Sequence, residues 1–233
     1  MASPALPRQP GSASSPLEVE VTPDIPAWRR SWGPDWDFDL PFDTRLDRVR
    51  AALANTPLVM EGAGTQLLDE AGHTVAIRWE LTGCLAADPP MRPEQARWAD
   101  VPAGSVNGPF RHHLFHGTDV EFLRPIAMDR RLRGIAEEEG GAAPNVVYMR
   151  GWSGVRTDAK AAATVKKVAG SSKAPQGVVL ECRAFTRVLT IHHGGHTAEL
   201  AACRPGLSTH NARSKQWVVH ERDVQLLALL LVL

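Results

Sequence analysis

The stretch Leu114-Phe115-His116-Gly117-Thr118 decides how this chain is read. A short apolar run delivers an imidazole onto a glycine, and Thr118 and Asp119 just beyond are residue types that cap helices. The spacing of Phe122, Leu123, Ile126 and Ala127 then predicts a helix with one apolar stripe. Pro125 is compatible with that helix only in its first turn, and Arg130, Arg131, Arg133 and Gly134 mark its end. On its own, His-Gly-Thr suits a turn or a satisfied core histidine as well as it suits a site.

Two later segments give the histidine a context. Asn145-Val146-Val147-Tyr148-Met149 is a brief apolar strand that carries the sole tyrosine, and the loop holding Trp152 leads from it to an alanine-rich helix over 158–169. Gln216-Trp217-Val218-Val219-His220 runs through Glu221-Arg222-Asp223 into the apolar stretch Leu226 to Leu233. That last run is far shorter than the ~20 residues needed to cross a bilayer, and it reads as a strand buried on both faces.

This order of His-Gly-Thr, strand tyrosine with a helix after it, and polar residue plus Trp-Val-Val resembles the catalytic domain of the His-Tyr-Glu poly- and mono-ADP-ribosyltransferases. The likeness covers roughly residues 110 to 233. It implies an α+β fold with a split, mainly antiparallel β-sheet and flanking helices, and NAD as substrate. It also implies a role for each matched residue. His116 would hydrogen-bond a ribose hydroxyl of the adenosine half, Gly117 would pair its backbone with the nicotinamide amide, and Thr118 would reach the same amide. Tyr148 would lie against the nicotinamide ring. Trp152 is the candidate for closing the far side, because the aromatic that the family carries in the following helix is missing between Ala161 and Val165.

Gln216 stands where the family's polymerases have a glutamate. A carboxamide can hold a ribose hydroxyl, but it cannot take a proton or lend negative charge to an oxocarbenium-like transition state. Losing one well-aimed electrostatic group commonly costs ~10²–10³ in rate. The expectation is therefore transfer of a single ADP-ribose to a protein or nucleic-acid acceptor, with His116, Tyr148 and Gln216 as catalytic residues. A catalytically weak module that binds NAD or ADP-ribose is the alternative.

Outward from these motifs, the sequence divides into an arm over 1–26, an extension or small subdomain over 27–105, and an ADP-ribosyltransferase-like domain over 106–233. The arm is rich in Pro, Ser, Ala and Gly and reads as disordered. Trp28, Trp32, Trp36, Phe38 and Phe42 alternate with aspartates, a pattern that suits docking on a domain surface or, within 28–42, a protein partner. Leu46, Val49 and Leu53 predict a helix. Leu67-Leu68, the turn Glu70 to His73 and the alternating run Thr74 to Leu81 predict a hairpin in which Val75, Ile77, Trp79 and Leu81 share a face. Val178 to Ile191 reads as one long or broken strand, followed by an irregular stretch up to Lys215.

Among 233 residues, 26 Lys and Arg balance 26 Asp and Glu, so no global field favours nucleic acid or a membrane surface. Three cysteines and no legible secretory leader suit reduced thiols in the cytoplasm or nucleus. Two rival readings remain. Cys182, His192, His193, His196, Cys203 and His210 could supply a structural zinc, although their spacing matches no regular ligand pattern. The RNA 2′-phosphotransferases also carry a His-Gly-Thr step and use NAD, but residues 1–105 lack the basic helix pair that reading requires.

Overall fold

The computed structural model describes residues 40–85, 111–134, 145–169, 177–192 and 202–233. Arm 1–26, nearly all of the aromatic segment 28–42, and the boundary near residue 105 lie outside them.

In chain order the elements are α1 (Phe42–Leu53), β1 (Val59–Leu68), β2 (Thr74–Thr82), β3 (Arg111–Thr118), α2 (Val120–Asp129), β4 (Val146–Ser153), α3 (Asp158–Ala169), β5 (Val178–Phe185), β6 (Arg187–Ile191), β7 (Leu207–Asn211), β8 (Gln216–His220) and β9 (Val224–Val232). The nine strands of the described residues join one sheet in the order β1-β2-β9-β5-β3-β4-β8-β7-β6. Every ladder is antiparallel except that between β6 and β7. The fold is thus α+β with a mainly antiparallel sheet, and the hairpin β1–β2 is part of the same sheet through β9.

Helices cover both faces. Leu46, Val49 and Leu53 of α1 and Leu123, Ile126 and Ala127 of α2 pack with Leu114, Val147, Met149, Leu180 and Trp217 on one side. Ala161, Ala162, Val165 and Val168 of α3 pack with Phe115, Val179 and Leu230 on the other. The strand β9 contributes to both clusters, Leu226, Leu229 and Leu231 to the first and Leu230 and Val232 to the second. Its unbroken apolar run therefore has a reason: it lies between β2 and β5 with neither face in water. Each leucine buried there contributes about 1.5–3 kcal/mol. The buried Arg45 of α1 donates from Nη1 to the Val232 carbonyl at 2.7 Å, fixing the helix to that strand.

Several local readings change. In α2, Leu123, Ile126 and Ala127 are buried, but Phe122 is 62% exposed and does not belong to the stripe. Pro125 lies beyond the first turn, and Asp119, not Thr118, caps the helix by accepting from the Glu121 N–H. The helix stops at Arg130, which adopts a left-handed conformation with φ 60°. In β2, Ile77, Trp79 and Leu81 do share a face, whereas Val75 packs on the α3 side. The register shift between Leu67 and Leu68 in the β1–β2 ladder breaks the alternation at that end. The segment up to Lys215, taken as irregular, contains β7, whose polar residues are held by β6 and β8.

Candidate functional site

The pairing of β3 changes partway along its length. From His112 to Phe115 it is laddered to β4, ending at Phe115↔Arg150. From His116 to Thr118 its only ladder is to β5, and Tyr148 and Met149 on the opposite strand pair only with β8. The two strands thus part just where the His-Gly-Thr step begins.

The His116 side chain spans this fork. Its Nδ1 lies 2.9 Å from the Tyr148 carbonyl oxygen. A carbonyl only accepts, so Nδ1 carries the proton and Nε2 of the neutral ring is an acceptor. An imidazole so fixed presents its acceptor in one orientation, as recognition of a hydroxyl requires. Gly117 and Thr118 are buried, and the Thr118 hydroxyl donates to the Asp119 carbonyl at 3.3 Å.

Strand alternation assigns the remaining side chains. Val147 and Met149 belong to the α1/α2 face, so Tyr148, Arg150 and Trp152 take the α3 face. Arg150 pairs with Gln216 and Tyr148 with Val218, which places Gln216 on that same face. Gln216 is then a diagonal neighbour of Tyr148, roughly 7–8 Å away across the ladder. His116 belongs with Leu114 to the α1/α2 face and reaches Tyr148 through the latter's backbone. The structure therefore puts Tyr148 and Gln216 on one face of the sheet and the His116 side chain on the other, tied at the fork to the Tyr148 backbone carbonyl.

Tyr148 is 8% exposed and packs with Val146, Val218 and Cys203. Gln216 is partly buried at the start of β8, and among the described residues its carboxamide makes no hydrogen bond. Trp152 stands four residues along β4 from Tyr148, about 13 Å by strand rise. Its ring stacks on His113 and Phe115, each at 5.8 Å between centroids, and its Nε1 donates to the Val155 carbonyl. It lies beyond the fork rather than over it.

Two features were not foreseen from sequence. Glu181 of β5 is buried between Arg78 and Arg156, with Nε–carboxylate distances of 2.6 and 2.7 Å. Burial works to raise the Glu181 pKa, but the hydrogen bonds from Arg156 and Arg78 carry it below the usual glutamate range. The other is an open cleft of about 590 Å³ beside Gln216, lined in part by Arg150, Trp152, Lys167, His210, Lys215 and Trp217. Burial and then the charge of Lys215 hold the His210 pKa below its ordinary value.

Among the described residues no group of three or more His, Cys, Asp or Glu is arranged to hold a metal. His193 and His196 lie outside those residues. The Cys203 thiol donates to the Val218 carbonyl, and burial pushes the Cys182 and Cys203 thiols well up from their usual range, so neither is poised as a thiolate. No helix among the described residues is long and apolar enough to cross a membrane.

No protein-family model matches the chain, and no curated protein matches it either.

Proposed function

We propose that the chain is an ADP-ribosyltransferase-like protein that takes NAD as substrate at the β3–β4 fork and transfers a single ADP-ribose to a protein or nucleic-acid acceptor. The observation that carries this reading is the Nδ1–H bond from His116 to the Tyr148 carbonyl, made where the ladder opens, with Gln216 diagonal to Tyr148 on the next strand.

In the proposed reaction the bond between nicotinamide and ribose breaks, and its electron pair leaves with nicotinamide. The oxocarbenium-like ribose is captured by a lone pair of the acceptor, whose proton passes to solvent. Nε2 of His116 accepts from a ribose hydroxyl. The backbone of Gly117, freed from β4, is available to the nicotinamide amide without a Cβ in the way. The Tyr148 ring forms an apolar wall of limited exposure. The Gln216 carboxamide holds a hydroxyl of the nicotinamide-side ribose. Such catalysis rests on orientation and exclusion of water, and it proceeds without a carboxylate at Gln216 to stabilise the cation.

That same carboxamide favours the second reading, a module that binds NAD or ADP-ribose and turns it over slowly or not at all. Incubation with NAD labelled in its adenosine half separates the two. Label fixed covalently on the protein or a co-purified target is expected for transfer, and saturable binding without product for the module. His116→Ala should remove both signals, and a folded His116→Ala protein that keeps them would exclude the fork as the NAD site.

A further inference from the structure

We infer that the cleft beside Gln216 is a second site, built for a nucleotide unit that carries a terminal phosphate. It begins at Arg150, the strand partner of Gln216, and runs away from Tyr148 toward α3 and the β7–β8 turn.

Its charge is one-sided. Arg150, Lys167 and Lys215 line it, and among the described residues no carboxylate does. None of the three has a carboxylate partner among the described residues, although the adjacent Lys166 is paired with Asp69 at 2.7 Å. Three cations gathered without counter-charge attract an anion, even in a chain whose net charge is zero.

The turn that carries Lys215 is closed and tied to Arg150. Asn211 Oδ1 accepts from the Arg213 and Ser214 N–H groups, and the Lys215 N–H donates to the Asn211 carbonyl, so the β7–β8 turn is closed on itself. Lys215 leaves that turn at φ 57°, a left-handed conformation that a lysine rarely adopts. The Arg150 guanidinium donates to the Ser214 carbonyl at 3.0 Å, which links β4 to the same turn.

The walls select among anions. Trp152, partly exposed on the α3 face, and His210 line the cleft; Trp217 borders it too, but its ring is buried in the α1/α2 cluster, 4.8 Å from that of His210. Inorganic phosphate would leave most of the volume and the Trp152 ring unused, and an acidic peptide would leave that ring unmatched. A base against the Trp152 ring with its phosphate among the cations uses both, and the volume falls in the range of small-molecule sites. Free nucleotide and the phosphorylated end of a nucleic-acid strand share this chemistry.

The probes are AMP, a short single-stranded oligonucleotide with a 5′-phosphate, the same oligonucleotide without it, and inorganic phosphate, each titrated at low salt. None carries nicotinamide and no turnover is read, so the result is independent of the ADP-ribosyl reading. AMP or the phosphorylated strand is expected to bind saturably, the tighter one identifying the source, and more tightly than phosphate alone. The exposed pair Lys167→Gln with Lys215→Asn should weaken that binding tenfold or more, and Lys215→Asn alone by a lesser factor, Asn being at ease in a left-handed turn. Equal binding of the unphosphorylated strand, or no loss in the double variant, would overturn the proposal. So would loss in His116→Ala with the lysine variants unaffected, since the nucleotide would then occupy the fork.

Discussion

Arg156 reaches Glu181 with two nitrogens, Nε at 2.7 Å and NH2 at 3.4 Å, and so anchors the loop before α3 to a carboxylate buried in β5. Arg78 of β2 closes on the same carboxylate from the other side. One buried anion thus holds together the hairpin, the sheet centre and the entry to α3.

Removing that anion leaves two guanidinium groups facing each other. Glu181→Gln is expected to lower stability by about 3–5 kcal/mol, as breaking a buried pair does. The sign with pH follows from the depressed folded pKa. The contribution is fully present above the unfolded value near 4.3 and is lost as pH falls through the folded one. Urea midpoints from pH 7 to pH 3 should fall at the acid end for the native sequence and less steeply for Glu181→Gln. Parallel acid limbs in the two proteins would remove Glu181 as the source.

Gly151 faces Leu114 in the last part of the β3–β4 ladder before it opens. A Cβ there would stand 2.0 Å from the His113 carbonyl oxygen. The strands would have to separate, so Gly151→Ala should cost ~2 kcal/mol or more and lower the melting temperature by about 4 °C or more. An unchanged melting curve would mean that β3 and β4 are not so closely laddered at this point.

Gln216→Glu tests the least familiar part of the proposed site. A carboxylate diagonal to Tyr148 could support a developing ribose cation, and nicotinamide release from NAD should rise by ~10²-fold or more. Chromatography of released nicotinamide measures it directly. No gain from protein that still melts cooperatively would break the correspondence between Gln216 and the glutamate of the resembled family.

Leu229 and Phe122 give opposite expectations for two large apolar residues. Leu229 is fully buried in β9, and Leu229→Ala should cost about 2–5 kcal/mol. Phe122 is 62% exposed, and Phe122→Ser should stay within about 0.5 kcal/mol. Denaturant titration of both variants checks the placement of α2, which a large loss from Phe122→Ser would contradict.

Local pattern carried much of this architecture. The period of Leu46, Val49 and Leu53 found α1, the turn at Glu70 to His73 found the first hairpin, and the unbroken apolar run found β9 as a strand buried on both sides. Of the site, His116 and Tyr148 were legible as strand residues, because each sits in a short apolar run. What escaped notice depends on pairing between distant segments. β7 has a polar sequence and becomes a strand only beside β6 and β8. Glu181 interrupts an apolar strand, and its partners are 103 and 25 residues away. Arg150, Lys167 and Lys215 become one charged surface only after β4, α3 and the β7–β8 turn have met.

The position of β9 also dictates when the sheet can assemble. Last of the described strands in chain order, β9 is third across the sheet: β2 has no ladder to β5, and both pair with β9, which follows every other described strand in sequence. While residues 42–223 emerge from a ribosome, the hairpin and the sheet centre each present an unfinished edge, the kind of surface that nascent-chain chaperones shield. Closure of the whole sheet therefore waits for β9, and any stall before Val224 leaves two fragments of sheet instead of one.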